Sequence, residues 1–176
     1  MLKFIYLRFE VETMIESILS AIYFFLPAYA ANICACMLGH GRPLDLGKNF
    51  IDGRRILGDG VTIRGSAAGI FCGTLVGIAQ EFASGGSRIF LSILLSTGAI
   101  VGDAVGSFIK RRLGMPRGAH APVLDQLNFV VVALFFASFA VEIPLQTVII
   151  LFILTPIGHL AVNKTGYLLK LKDVPW

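Results

Sequence analysis

Ionisable side chains are scarce enough in this chain to be read one at a time. Asp103, Ser107 and Lys110 fall at i, i+4 and i+7 in the run Gly102-Asp-Ala-Val-Gly-Ser-Phe-Ile-Lys-Arg-Arg112. A helix would set them on one face, with Val101, Val105 and Phe108 on an apolar one. A carboxylate about two turns inside an apolar helix is costly in lipid and faces a cavity, a partner or an ion. A second acid, Asp125, follows a loop that contains Arg117 and His120, and Asn128 lies three residues further on the same face. Two readings stand. In one, Asp103 pairs with Lys110 or an arginine merely to orient helices, and Asp125 caps a helix N-terminus. In the other, the two carboxylates hold Mg²⁺ between nucleotide phosphates, and Asn128 adds a neutral oxygen ligand.

The segment 39–64 is the longest polar stretch, and it interleaves cations, glycines and acids. Arg42, Lys48, Arg54, Arg55 and Arg64 could neutralise phosphate, and glycine lets a backbone approach it closely. Asp45, Asp52 and Asp59 recur every seven residues, and Gly58-Asp59-Gly60 also reads as a turn. No Gly-x4-Gly-Lys-Ser/Thr loop is present. The plainer reading of this segment is attraction to lipid headgroups.

The elements that must position these groups are membrane helices. Of 176 residues, 56% are hydrophobic and only 15% charged, well below the roughly 25% of a soluble domain. That balance excludes disorder and argues against a water-soluble globule. Five apolar stretches approach the roughly 20 residues that cross a bilayer: about 15–38, 65–83, 87–109, 127–143 and 145–169. We therefore expect a single all-α integral membrane domain over 1–176, with functional loops at 39–64 and 110–126. These loops and the tail carry 12 of the 15 Lys and Arg, and the other side carries Lys3, Arg8 and Arg88. The asymmetry predicts an external N-terminus and a cytoplasmic C-terminus. Ala28-Tyr-Ala30 looks like a signal-peptidase site, but acids precede it and the apolar run continues to Leu38. The first 13 residues form a weakly amphipathic extension.

Within the helices, Gly65, Gly69, Gly73 and Gly77 recur every four residues and make a flat face for helix packing, within the bundle or in a homo-oligomer. Thr155, His159 and Asn163 form a polar stripe toward the interior, and Asn32 lies mid-span and needs a partner. Cys34, Cys36 and Cys72 lie in apolar runs, an odd number that suits neither a disulfide framework nor zinc.

The stretch Gly53-Arg-Arg-Ile-Leu-Gly-Asp-Gly-x-Thr-x-Arg-Gly65 resembles the archaeal CDP-archaeol synthases, membrane cytidylyltransferases that act on digeranylgeranylglyceryl phosphate. Pro27 with Ala31-Asn32, Gly41-x-Pro-x-Asp-x-Gly47 and Gly102-Asp103…Ser107-Phe-x-Lys110-Arg111 fit the same pattern, so the resemblance runs over about 27–130. A weaker similarity reaches the phosphatidate cytidylyltransferases, in which Ser-x-x-Lys-Arg precedes Asp-Arg-x-Asp. Here Ser107-x-x-Lys110-Arg111 fits, and Asp125-Gln-Leu-Asn128 stands at the second motif with two replacements.

The resemblance implies a cell-membrane enzyme, active at its cytoplasmic face, that transfers CMP from CTP to the lipid phosphate and releases pyrophosphate. Its partners would be CTP, the isoprenoid ether lipid phosphate and membrane lipid, with no nucleic acid. Asp103 and Asp125 would hold Mg²⁺, with Asn128 as a further ligand. Lys48, Arg54, Arg55, Arg64 and Lys110 would stabilise the triphosphate and pyrophosphate, with Ser107 and Arg111 beside them. Asn32, Asp59 and Thr62 would contact base, ribose or metal. The competing reading is a small transporter with Asp103 and His159 on an ion path, which would spread polar residues through the full depth. The spaced acids of a CDP-alcohol phosphotransferase are absent.

Overall fold

In a computed structural model, residues 2–116, 119 and 121–168 are described. Five helices follow in chain order: α1 (Leu2–Leu38), α2 (Ile63–Ser84), α3 (Ile89–Arg112), α4 (Pro122–Ala137) and α5 (Leu145–Leu168). Among the described residues, Glu12–Leu38, Ile63–Ser84 and Ile89–Arg112 are long and apolar enough to cross a membrane. Leu124–Ala137 and Leu145–Ala161 are apolar but shorter. Large apolar side chains such as Phe71, Phe82, Phe90, Phe135 and Ile153 remain on the outside, as a lipid-facing surface requires.

Small residues draw the first three helices together. The α2 glycines expected to form a flat face are all buried. A Cβ at Gly69 would stand 2.7 Å from the Ala31 carbonyl oxygen, and one at Gly73 would stand 2.5 Å from that of Pro27. On the other side the same row meets Ser92, Ser96 and Ile100 of α3, so α2 is wedged between α1 and α3. A second row, Gly98, Gly102 and Gly106, lets α3 lie directly on Ala133, Phe129 and Asn128 of α4. It has the same four-residue spacing as the α2 row.

Pro27 sits inside α1 and has no N–H to give the carbonyl of Tyr23. The buried Gln80 of α2 takes that carbonyl instead, its amide donating at 2.6 Å. The core behind the site is aromatic. Phe25, Tyr29 and Phe129 pack edge to face or tilted, with ring centroids 5.0–6.2 Å apart. Tyr29 is tied to α5 by a 2.7 Å hydrogen bond with Thr155, so Thr155 does face the interior. The side chain of Asn163 and residues Arg117, His120, Lys170 and Lys172 lie outside what is described.

Four boundaries differ by three residues or more from the sequence reading. α1 begins at Leu2 rather than about 15, so the expected extension is continuous with the first helix. α3 runs on to Arg112, placing three cations in its last turn where the helix dipole favours them. α4 occupies 122–137 rather than 127–143. It starts early because Pro122 fits the first turn and the Asp125 carboxylate accepts from the Ala121 N–H at 3.0 Å. It stops at Ala137, where the following residues turn back toward Pro144 and the Ser138 hydroxyl takes the Phe135 carbonyl. The connection between α3 and α4 is therefore 113–121, not 110–126.

Candidate active site

The first loop, 39–62, holds a shape of its own. Phe50 N–H donates to the Arg54 carbonyl at 2.7 Å and Ile56 N–H to that of Lys48 at 3.1 Å, closing a small hairpin. Its turn is Asp52-Gly53, and Gly53 takes a φ of +75° that L side chains rarely adopt. Asp45 organises the base. Its side chain is 1% exposed and accepts from the N–H groups of Gly47, Leu57 and Gly58 at 2.9–3.0 Å and from Arg55 at 2.7 Å. Desolvation alone would raise the Asp45 pKa. The Arg55 guanidinium and the three amides outweigh it and hold the carboxyl well below the usual range. Arg55 in turn meets Asp59 at 3.0 Å, and its hydrogen bond with Asp45 holds its proton more firmly than usual.

This loop faces the last turn of α3 across a cavity of about 490 Å³. Arg54, Arg55, Asp59, Ser107, Lys110 and Arg111 line it, all six expected from the sequence. Glycines 58, 60 and 114 form other parts of the wall. Arg111 Nε is buried without a hydrogen-bond partner, while Nη2 donates to the Pro116 carbonyl at 3.3 Å. A donor left in that state is unusual and suits an anion arriving in the cavity.

The acids are outside the cavity lining: Asp103 stands one turn before Ser107 on α3, and Asp125 of α4 meets Lys110. Asp103 accepts from the Asn32 amide at 2.8 Å, which gives mid-span Asn32 its partner. Lys110 forms its ion pair with Asp125, so the Asp103–Lys110 pair considered from helical spacing is not the one formed. Asp125 is not the N-cap residue itself; it lies inside the first turn and reaches back to Ala121. Asn128 turns its oxygen to the Phe129 N–H at 2.7 Å and rests its amide nitrogen against Gly106. Among the described residues no group of three or more His, Cys, Asp or Glu comes together as a metal cage. Mg²⁺ needs no such cage, since it is commonly held by one or two carboxylates, water and substrate phosphate. Asp103 and Asp125, both hard oxygen donors, fit that pattern.

The remaining sequence candidates sit elsewhere. Thr62 is buried as the N-cap of α2, its hydroxyl accepting from the Gly65 N–H at 3.0 Å. Lys48 and Arg64 are exposed and outside the cavity lining. Arg54 lines the cavity and also caps α3, donating to the Arg112 carbonyl at 2.7 Å and the Arg111 carbonyl at 3.3 Å. Sequence reasoning missed Arg112 itself, which binds the first loop; its i, i+4 spacing from Phe108 was the only local signal.

A family model described as CarS-like, CDP-archaeol synthase, matches residues 14–176. A CDP-archaeol synthase of Methanocaldococcus jannaschii is 49% identical over 170 residues, covering 89% of this chain and 96% of its own. One from Methanopyrus kandleri is 51% identical, covering 88% and 91%. A solved structure described as an intramembrane enzyme for archaeal membrane lipids biosynthesis superposes with a TM-score of 0.78 at 40% identity, covering 83% of this chain and 94% of that one.

Proposed function

Since the chain belongs to the CDP-archaeol synthase family, we propose that its cation-lined cavity is where CMP passes from CTP to an isoprenoid ether lipid phosphate. An oxygen of the lipid phosphate attacks the α-phosphorus of CTP. The bond from that phosphorus to the bridging oxygen breaks, and pyrophosphate leaves. A lipid phosphate is already mostly ionised near neutral pH, so no general base is required. The protein's work is to neutralise charge and align the two phosphates.

The observation that carries this reading is the set of Arg54, Arg55, Lys110 and Arg111 around one cavity, with Asp103 one turn before Ser107 and Asp125 paired with Lys110. Four cations match a triphosphate and its pyrophosphate product. Arg55 is set by Asp45, and Arg54 by the end of α3, so both guanidinium groups are aimed before substrate arrives. Lys110 is paired with Asp125, and a triphosphate would offer it a second anion. Asp103 and Asp125 would hold Mg²⁺, with Asn32 fixing the Asp103 carboxylate. The ion would supply Lewis-acid stabilisation of phosphate charge. The transporter reading finds no support, since the relatives are CDP-archaeol synthases and the cavity's cations come from the first loop and the adjoining end of α3.

All five helices cross the membrane in this reading, with the N-terminus outside and the cavity in the cytoplasm, as the basic loops require. With Cys34, Cys36 and Cys72 replaced by serine, a cysteine replacing exposed Lys48 should react with impermeant reagents from the cytoplasmic side only; labelling from outside intact cells refutes the orientation. The function is tested by incubating purified protein with Mg²⁺, digeranylgeranylglyceryl phosphate and each nucleotide. Pyrophosphate should appear with CTP and far less with ATP or GTP, because a site built to hydrogen-bond one base leaves groups unpaired with another. Equal turnover of all nucleotides, or none with CTP, overturns the reading.

A further inference from the structure

The two walls of the cavity belong to distant parts of the chain. Arg54, Arg55 and Gly58 come from the first loop, whereas Ser107, Lys110 and Arg111 come from the end of α3. A triphosphate fits between them only if something holds their separation. We propose that Arg112 and Asp52, which do not line the cavity, are positioning residues that clasp the loop to α3 and set that separation. The proposal rests on the cavity being the nucleotide site.

The Arg112 guanidinium is engaged through both terminal nitrogens and against two rings, while its buried Nε has no hydrogen-bond partner. Nη1 donates to Asp52 Oδ1 at 2.6 Å. Nη2 donates to the Arg55 carbonyl at 2.5 Å and to the Arg54 carbonyl at 3.3 Å. Its plane lies over both Phe50 of the loop and Phe108 of α3, each centroid 4.9 Å away, and the two rings meet edge to face at 5.3 Å. Asp52 Oδ1 also accepts from the Arg54 N–H at 3.0 Å, so the same acid fixes the turn and receives the clasp.

The link is reciprocal. Arg112 grips the backbone of residues 54 and 55, and the Arg54 side chain grips the carbonyls of residues 111 and 112. Gly114, at a φ of +72°, turns the chain away at this point; a Cβ there would stand 3.0 Å from Arg54 Nη1. Consecutive residues on a helix point about 100° apart. The last turn of α3 thereby presents Arg111 to the cavity and Arg112 to the loop. Lysine cannot replace Arg112 in this role, since an ammonium has neither the planar fork for three acceptors nor the flat face between two rings.

The test compares wild type, Asp52→Asn, Asp52→Glu and Arg112→Lys in lipid nanodiscs. In protein with Cys34, Cys36 and Cys72 replaced by serine, nitroxides on cysteines placed at Gly60 and Met115 report the separation across the cavity without any substrate, and kinetics are read on unlabelled variants. Steady-state kinetics report KM for CTP and for the lipid phosphate separately. Asp52→Asn and Arg112→Lys should broaden the distance distribution and raise KM for CTP about tenfold, as loss of hydrogen bonds to charged groups implies. KM for the lipid phosphate should stay within about twofold, and Asp52→Glu should recover both the distances and the CTP value. An unchanged distance distribution overturns the clasp, as does a parallel rise in both KM values that Asp52→Glu does not repair. Should wild type release no pyrophosphate from CTP, the nucleotide reading fails, and the distances alone decide whether the clasp exists.

Discussion

Replacing Asp45 by asparagine should disable the site without unfolding the bundle. Asp45 Oδ2 accepts from Leu57, Gly58 and Arg55, and Oδ1 accepts from Gly47 and Arg55. Asparagine keeps one acceptor oxygen and turns an NH₂ toward donors on the other side. It also leaves Arg55 with Asp59 as its only carboxylate among the contacts described. Arg55 is partly exposed, so the loss is that of hydrogen bonds to the buried Asp45 carboxylate, about 1.5–3 kcal/mol. The loss falls on residues 39–62, because the helices are held by the glycine seams and the aromatic core. If only a fraction of molecules keep the loop ordered, the apparent affinity for CTP falls by that fraction, on the order of tenfold to a hundredfold over that range. The assay is KM for CTP, with limited proteolysis of the loop and helix content measured on the same preparation. The folded-state pKa of Asp45 lies below its unfolded value of about 3.9. Its contribution is therefore fully present above about pH 5 and is lost as pH falls through the folded value. Wild-type protease resistance should hold from pH 7 to 5 and decline below about pH 4, whereas Asp45→Asn should be sensitive throughout. A variant with wild-type KM and an equally resistant loop at pH 7 would refute the reasoning.

Asp103→Asn and Asp125→Asn should each lower the rate on the order of a hundredfold and shift the Mg²⁺ titration to higher concentration. Near-normal rates at ordinary Mg²⁺ in both folded proteins would remove the acids from the metal site. Gly73→Ala would force a Cβ against the Pro27 carbonyl and the Ser96 side chain. It should cost about 1–3 kcal/mol and lower the melting temperature; an unchanged melting curve would mean that the α1–α2–α3 seam is looser than described.

Much of this protein is local and was open to reading along the chain. Composition sets the membrane class, since apolar surface in such excess has nowhere else to go. The helices fall close to the predicted spans wherever a boundary depends on nearby residues, as at Leu38, Ile63 and Leu145. The α2 glycine row predicts a seam because a four-residue repeat needs only helical geometry to make a face. The motif over 53–65 points to the family that the relatives share.

What each charged side chain is used for was decided in three dimensions. Thr62 reads as a possible ligand group and is a buried helix cap. Helical spacing offers Lys110 to Asp103, but α4 brings Asp125, and Asp103 turns to Asn32 across from α1. Lys48 and Arg64 resemble Arg54 and Arg55 in type and place along the loop, yet stay outside the cavity. Arg112 looks like one more member of a basic run and is the link that joins two walls. The physical reason is the same in each case. Sequence spacing determines which side chains share a face, whereas the acceptor opposite that face comes from a segment tens of residues away. Only packing at the glycine seams decides which foreign carboxylate or carbonyl arrives there.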